Sequence, residues 1–290
     1  MKTTTSHLKE IVMQGVFTAC ACISILAVAL ICIFLFANGL PTIFEIGPLK
    51  FLLGTTWKPG NNLYGILPMI LGSIYVTAGA IIVGVPIGLM TAMFLAKVAP
   101  PKAAKVIRTA VELLAGIPSI VYGLVGMIVL VPAIRRAFGL GSGACLLAAI
   151  LVLTVMVLPS IINVAETALQ AVPREYEEAS LALGATETET YFRVSLPAAR
   201  SGVAAAVVLG VGRAIGEAMA IIMVAGNVAN MPGLFTSVRF LTTGIISGMS
   251  DAAVGSLYQQ ALFSIGLVLF LFIMLINVLL NVCIKRKKED

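Results

Sequence analysis

PREYEEASLALGATETETYFRVSLPAAR, residues 173–200, is the stretch from which the rest of this chain can be read. It carries Arg174, Glu175, Glu177, Glu178, Glu187, Glu189, Arg193 and Arg200 in a sequence that is 60% hydrophobic and only 11% charged. Its local signals spell helix–turn–helix. Pro173 suits the first position of a helix. Glu175, Glu177 and Glu178 then fall in the early turns, where the helix dipole favours carboxylates. Gly184 sits where a left-handed C-terminal cap is expected. Thr186 and Glu189 have the spacing of a capping box for a second helix, and Pro197 ends that helix. The product is a short, rigid knob, able to pass on a force that a floppy segment would absorb.

What surrounds the knob is membrane-like. A soluble domain carries about 25% charge, more than twice the share found here. A spanning helix needs roughly 20 apolar residues, and six stretches qualify: about 14–37, 66–95, 116–134, 145–166, 202–226 and 257–283. An unpaired backbone cannot face lipid, so each is expected to be helical. The expected fold is an all-α membrane protein with six transmembrane helices and one domain over residues 1–290. The uncharged run from Ile11 to Thr42 is too long for the apolar core of a signal peptide and reads as an uncleaved anchor.

Orientation follows from lysine and arginine placement. With both termini in the cytoplasm, Lys50, Lys58, Arg135, Arg136 and Arg239 lie outside and Arg213 lies within a span. The remaining thirteen of the 19 basic residues are cytoplasmic, among them Lys285, Arg286, Lys287 and Lys288. This topology accounts for the net charge of +6 without invoking nucleic acid. Residues 167–200, which contain the knob, are then a cytoplasmic loop.

Several chemistries are excluded. Cys20, Cys22, Cys32, Cys145 and Cys283 sit in or at the ends of spans with no C-x-x-C spacing, so no disulfide framework or zinc site is implied. The single histidine, His7, is in the N-terminal tail. No G-x-x-x-x-G-K-[ST] occurs, so the chain cannot cradle ATP phosphates in the P-loop manner. No cofactor is expected.

Other segments read as scaffold. Residues 38–65 form an external loop whose Trp57 and Tyr64 suit an interfacial position. Residues 102–115 read as an amphipathic helix on the inner surface. Lys102, Lys105, Arg108 and Glu112 mark its polar side, and Val106, Ile107, Ala110, Val111 and Leu114 its apolar side. Gly84-x-x-x-Gly88 and Gly123-x-x-Gly126 permit close helix approach.

The fifth span holds two charges, Arg213 and Glu217, within Gly210-Val-Gly-Arg-Ala-Ile-Gly-Glu-Ala-Met-Ala220. A charge at mid-bilayer costs roughly 2.5–3.5 kcal/mol even on the gentler insertion scales. The i, i+4 spacing places both on one helix face. Arg213 offers planar, bidentate donors for a tetrahedral oxyanion, and Glu217 would neutralise it when no anion is present. The competing reading is a structural ion pair fixing helix packing.

The spacing Glu178-Ala179-Ser180-(x3)-Gly184-(x9)-Val194-x-Leu196-Pro197 resembles the EAA loop of prokaryotic ABC importer permeases, with Ser180 in place of the second alanine and Val194 in place of isoleucine. The resemblance implies the type I importer (MetI-like) permease fold. It also implies a cytoplasmic coupling loop in which Glu177, Glu178, Ala179, Gly184, Leu196 and Pro197 engage a separate ABC ATPase. The segment around Arg213 and Glu217 is similar to that of the PstC-type permeases of phosphate importers, as are Val224–Asn227 and Thr242-Thr243-Gly244 leading to Ser256-Leu257-Tyr258. That likeness implies Arg213 and Glu217 in the substrate pathway. It implies as partners a second, PstA-like permease, an ATPase dimer and an extracytoplasmic phosphate-binding protein, all at the bacterial cytoplasmic membrane. Alternatives are a permease for sulfate or molybdate, an ion-coupled secondary transporter, or a membrane scaffold. No H-E-x-x-H, G-x-S-x-G or intramembrane carboxylate pair favours an enzyme.

Overall fold

The computed structural model describes residues 2–289, with side-chain environments from Glu10 to Leu280 and at Val282. The expectations for His7, Cys283 and Lys285–Lys288 fall outside the described side chains. The elements in chain order are α1 (Lys2–Ile46), α2 (Pro48–Leu53), β1 (Trp57–Lys58), β2 (Leu63–Tyr64), α3 (Leu67–Met93), α4 (Pro101–Gly116), α5 (Ser119–Val125) and α6 (Val131–Ala137). There follow α7 (Leu146–Gln170), α8 (Arg174–Ala182), α9 (Glu187–Thr190), α10 (Leu196–Ala198), α11 (Arg200–Gly216), α12 (Met219–Val224), α13 (Leu241–Asp251) and α14 (Leu257–Glu289). Single π-helical turns over Phe94–Val98, Gly126–Leu130 and Tyr191–Ser195 extend α3, join α5 to α6 and join α9 to α10.

Among the described residues, five helices are long and apolar enough to cross a bilayer: Glu10–Ile46, Leu67–Val98, Ser119–Ala137, Leu146–Gln170 and Leu257–Leu280. They correspond to five of the six expected spans. The remaining one, 202–226, is not a continuous helix. It ends at Gly216, passes through an extended Glu217 (ψ 134°) and restarts at Met219. Glycines at 210, 212 and 216 weaken the helix before the break. At its other end α11 meets the Glu187–Ala198 segment at a 74° bend, so the knob turns directly into the span.

The core divides into clusters stacked along the bundle. One end packs Phe51, Ile66 and Met69 with Leu241, Leu262 and Ile265. The middle is built on α7 and includes Leu153, Met156, Ile161, Ala220 and Val224. The other end joins Ala92, Met93, Leu169, Val172, Ala199 and Ala206 beneath the knob. Glycines set the closest approaches. A methyl group on Gly88 would lie 2.8 Å from Ile161 Cγ2, and one on Gly123 2.8 Å from Ala220 Cα. Both small-residue pairs therefore pack helices of this chain against each other.

Two sequence expectations are corrected here. Residues 38–65 are not a simple loop: α1 runs on to Ile46, and α2 and a two-stranded hairpin follow. Trp57 and Tyr64 are directly opposite across that hairpin and so share a face. Their rings meet edge-on at 5.6 Å, and both are buried in the first cluster. The second correction concerns α4. Its buried face runs through Ala104 and Val111, with Ile107 and Leu114 at its edges, while Val106 and Ala110 are exposed. Helical spacing of three and four residues puts 104, 107, 111 and 114 together and leaves 106 and 110 off that face.

Candidate functional site

Arg213 lies near the end of α11, with Gly212 and Gly216 beside it. A methyl group on either glycine would meet nothing within 4 Å, so this face of the helix is open. Arg213 is exposed, and its Nη1 donates to Ser160 Oγ on α7 at 3.1 Å. Around it runs a groove lined by Ser160, Val208, Leu209, Gly212, Arg213 and Asn277, the last from α14. One guanidinium nitrogen is engaged by a hydroxyl, and the fork keeps further donors for an anion. Sequence reasoning passed over Ser160 and Asn277. A carboxamide in the middle of an apolar span was the available signal.

Glu217 points elsewhere. Among the described residues the ion pairs are Lys97–Glu177 and Arg108–Glu166, and Arg213–Glu217 is not one of them. The i, i+4 pairing fails because the helix ends at Gly216, which takes Glu217 out of register. Its Oε1 instead accepts from the backbone N–H groups of Ala218 and Ala220, each at 3.1 Å. A carboxylate there satisfies orphan donors at the start of α12 and complements its dipole. The Glu217 carbonyl accepts from Thr242 Oγ1 at 3.0 Å.

The start of α13, which supplies Thr242, is itself held in place. Ser73 Oγ on α3 accepts from the Leu241 N–H at 3.1 Å, and Thr243 Oγ1 accepts from the Phe240 N–H at 2.9 Å. Residues 242–244 are thus the first turn of α13, seated against the broken span. Ser73, Thr77, Glu217, Phe240 and Thr242 line a small cavity, and the buried Thr77 hydroxyl finds no hydrogen-bond partner among the described residues. Nearby, Arg239 Nε donates to both the carbonyl and the side-chain oxygen of Asn227 at 3.0 Å, and burial draws its pKa below the usual value.

The second group of expected site residues is on the knob. Gly184 has φ +90°, the left-handed cap the sequence called for. The capping box forms: Glu189 N–H donates to Thr186 Oγ1 at 3.3 Å, and Thr186 N–H to Glu189 Oε2 at 3.1 Å. The Thr186 backbone N–H and hydroxyl, both donating to Glu189 Oε2, hold the Glu189 carboxyl below its ordinary value. Pro197 lies inside the short α10, and the chain turns two residues later at Ala199. Glu178, Ala179, Gly184 and Pro197 are exposed. So is Leu183, 90% accessible at the tip and unmarked in the sequence reading.

Glu177 faces the other way. Its Oε1 meets Lys97 Nζ at 2.5 Å and accepts from Ser195 Oγ at 2.7 Å. Leu196 also turns inward, packing on the cluster beneath the knob. The two groups of site residues are not brought together. Arg213 lies thirteen positions along α11 from Arg200, about 20 Å at the helical rise.

Comparison with known proteins gives a family and a fold. The family described as "Binding-protein-dependent transport system inner membrane component" matches residues 84–288. The chain is 42% identical to the "Probable ABC transporter permease protein YqgH" of Bacillus subtilis, over 94% of this chain and 91% of that one. It is 32% identical to the "Phosphate transport system permease protein PstC" of Mesorhizobium japonicum, over 93% and 88% respectively. Among solved structures, it resembles a chain of a bacterial ABC transporter involved in the import of the acidic polysaccharide alginate, with TM-score 0.61, 16% identity and coverage of 87% and 95%. A chain of the inward-facing MetNI methionine ABC transporter gives TM-score 0.56, 22% identity and coverage of 77% and 94%.

Proposed function

This chain belongs to the binding-protein-dependent transport system inner membrane components, as a PstC-type permease, and we propose that it forms half of the translocation path of an ATP-driven importer of inorganic phosphate. It is a multi-pass inner-membrane subunit and not itself an enzyme. The observation that carries the substrate reading is Arg213. A guanidinium within a span, hydrogen-bonded to Ser160 and open to a groove that Asn277 also lines, presents planar donors to a tetrahedral oxyanion. In this reading Glu217 contributes by holding the broken span at the end of which Arg213 stands.

The path is completed by a second, PstA-like permease facing this groove, with a phosphate-binding protein delivering the anion at the outer face. One of two ATPase subunits grips the knob through Glu178, Ala179, Leu183 and Gly184, which puts both termini and the α4 helix on the cytoplasmic side. ATP binding closes the motors, the knobs move, and the groove changes the side to which it opens. This chain breaks no bond in the cycle.

The test is labelled-phosphate uptake in phosphate-starved cells lacking this chain, with and without its restoration, challenged with excess sulfate. Rescue that sulfate does not inhibit supports the reading. Strong sulfate competition moves the substrate to another oxyanion, and uptake driven by a proton or sodium gradient without ATP overturns the importer class. Arg213→Gln should abolish uptake while the complex still assembles.

A further inference from the structure

We propose that Glu177 and Lys97 form an internal latch through which movement of the knob enters α3, so that Glu177 is a positioning residue for transport rather than a contact for the motor. The proposal rests on the coupling reading of residues 167–200 and assigns a separate role within it.

The geometry is concentrated on one oxygen. Glu177 Oε1 receives both Lys97 Nζ and the Ser195 hydroxyl. The side chains are only 17% and 10% exposed for Glu177 and Lys97. The next residue, Glu178, is exposed. Adjacent carboxylates on α8 therefore serve different faces. Both partners of Glu177 come from π-helical turns, Phe94–Val98 and Tyr191–Ser195. An extra residue in a turn re-aims the side chains that follow it, and such turns concentrate at functional positions. Tyr191 OH adds a donor to the Lys97 carbonyl at 3.4 Å. Leu95, in the same turn as Lys97, accepts from Arg108 Nη2, and Arg108 Nε pairs with Glu166 of α7 at 2.6 Å. Both ion pairs among the described residues thus meet at this end of α3.

What α3 reaches at its other end gives the latch its consequence. From Lys97 to Ser73 is 24 positions along one helical rod, about 36 Å at 1.5 Å per residue. Ser73 holds the Leu241 N–H at the start of α13, and Thr77 lines the cavity beside Glu217. The knob is also joined covalently to α11 across the bend at Ala199. It is therefore linked to the Glu217 break by two routes: α11 through the chain, and α3, which lines the cavity beside Glu217, through the latch. A desolvated ion pair suits this task, because removing one partner strands the other charge; the pair stays closed while the knob moves.

The experiment uses the assembled complex in proteoliposomes, with the motor and binding protein present. It reads labelled phosphate delivered per ATP hydrolysed. Glu177→Gln and Lys97→Gln should retain the motor and its hydrolysis but deliver at least tenfold less phosphate per ATP. The reversed singles Glu177→Lys and Lys97→Glu should do no better, and the swapped double should deliver at least fivefold more than either. Where a reversed single fails to accumulate, recovery of both accumulation and delivery in the double is the expected result. A normal ratio in Glu177→Gln, or a swap no better than its singles, overturns the latch. So does loss of the motor from Glu177→Gln but not from Lys97→Gln, which would place Glu177 against the ATPase. Gly184→Trp separates the two ideas: if it leaves the motor bound and transport normal, the coupling reading itself fails.

Discussion

Arg213 and Glu217 stand four residues apart and serve different helices: Arg213 reaches across to Ser160 of α7, while Glu217 accepts from the N–H groups of Ala218 and Ala220 where α12 begins. The helix end at Gly216 separates them, and each has a distinct mutational signature. Replacing Glu217 with alanine leaves two N–H donors without their acceptor, a loss of about 1–2 kcal/mol on the scale of N-terminal caps. Glu217→Gln keeps an acceptor oxygen at the same place. Thermal unfolding of the purified complex should show Glu217→Ala clearly below wild type and Glu217→Gln close to it. Equal losses for both would mean that the negative charge, and not the cap, is what the site requires.

The groove around Arg213 makes a second, independent prediction. Lysine conserves the charge at 213 but not the planar fork, and it cannot both bind Ser160 Oγ and offer a bidentate face. Arg213→Lys should therefore lose at least tenfold in uptake. Asn277→Leu, which removes a polar group from the groove wall, should raise the half-saturating phosphate concentration several-fold with little change in maximal rate. If Arg213→Lys transports at the wild-type rate, the residue supplies only charge, and the bidentate account is wrong.

The different legibility of these regions has a physical basis. Local signals were sufficient on the knob: a left-handed glycine at 184 and the Thr186–Glu189 box depend on neighbours within a few residues, and both are present as read. Hydropathy located the spans because the bilayer imposes a length. The break at Glu217 was misread because apolarity sets the extent of a span and says nothing of its continuity. An i, i+4 charge pair is also the default only while the helix persists. Glu177 and Glu178 are indistinguishable in sequence, and only the packing of α8 against Lys97, 80 positions away, turns one inward and leaves the other exposed. The helix α13 went unread because its eleven residues are too few and too polar to register as a span.

Leu183 gives a prediction for the face of the knob. A leucine 90% exposed beside a left-handed glycine contributes almost no burial to its own chain, so replacing it should leave the permease fold intact. Leu183→Asp should accumulate at wild-type levels but recover less than a fifth of the ATPase on co-purification. Gly184→Val, by contrast, forces a β-branched residue to φ +90° and should unsettle the knob itself. Protease sensitivity between residues 174 and 198 should then rise in Gly184→Val and stay unchanged in Leu183→Asp. Full motor recovery in Leu183→Asp would remove the tip from the proposed contact.

The capping box yields a prediction about pH. Glu189 accepts from the Thr186 backbone N–H and hydroxyl, and both contacts lower its pKa from the ordinary 4.5. A carboxyl whose folded pKa lies below its unfolded one stabilises the fold when ionised. Its contribution is fully present above about pH 4.5 and is lost as pH falls through the lower, folded value. Amide exchange at Thr186 and Glu189 should therefore be slow, relative to the intrinsic rate, at neutral pH. It should lose protection in the acid range below 4.5, before the apolar clusters of the bundle respond. Glu189→Gln should show weaker protection at neutral pH and no step in that window. A step of the same size in Glu189→Gln would mean that the acid transition does not belong to Glu189.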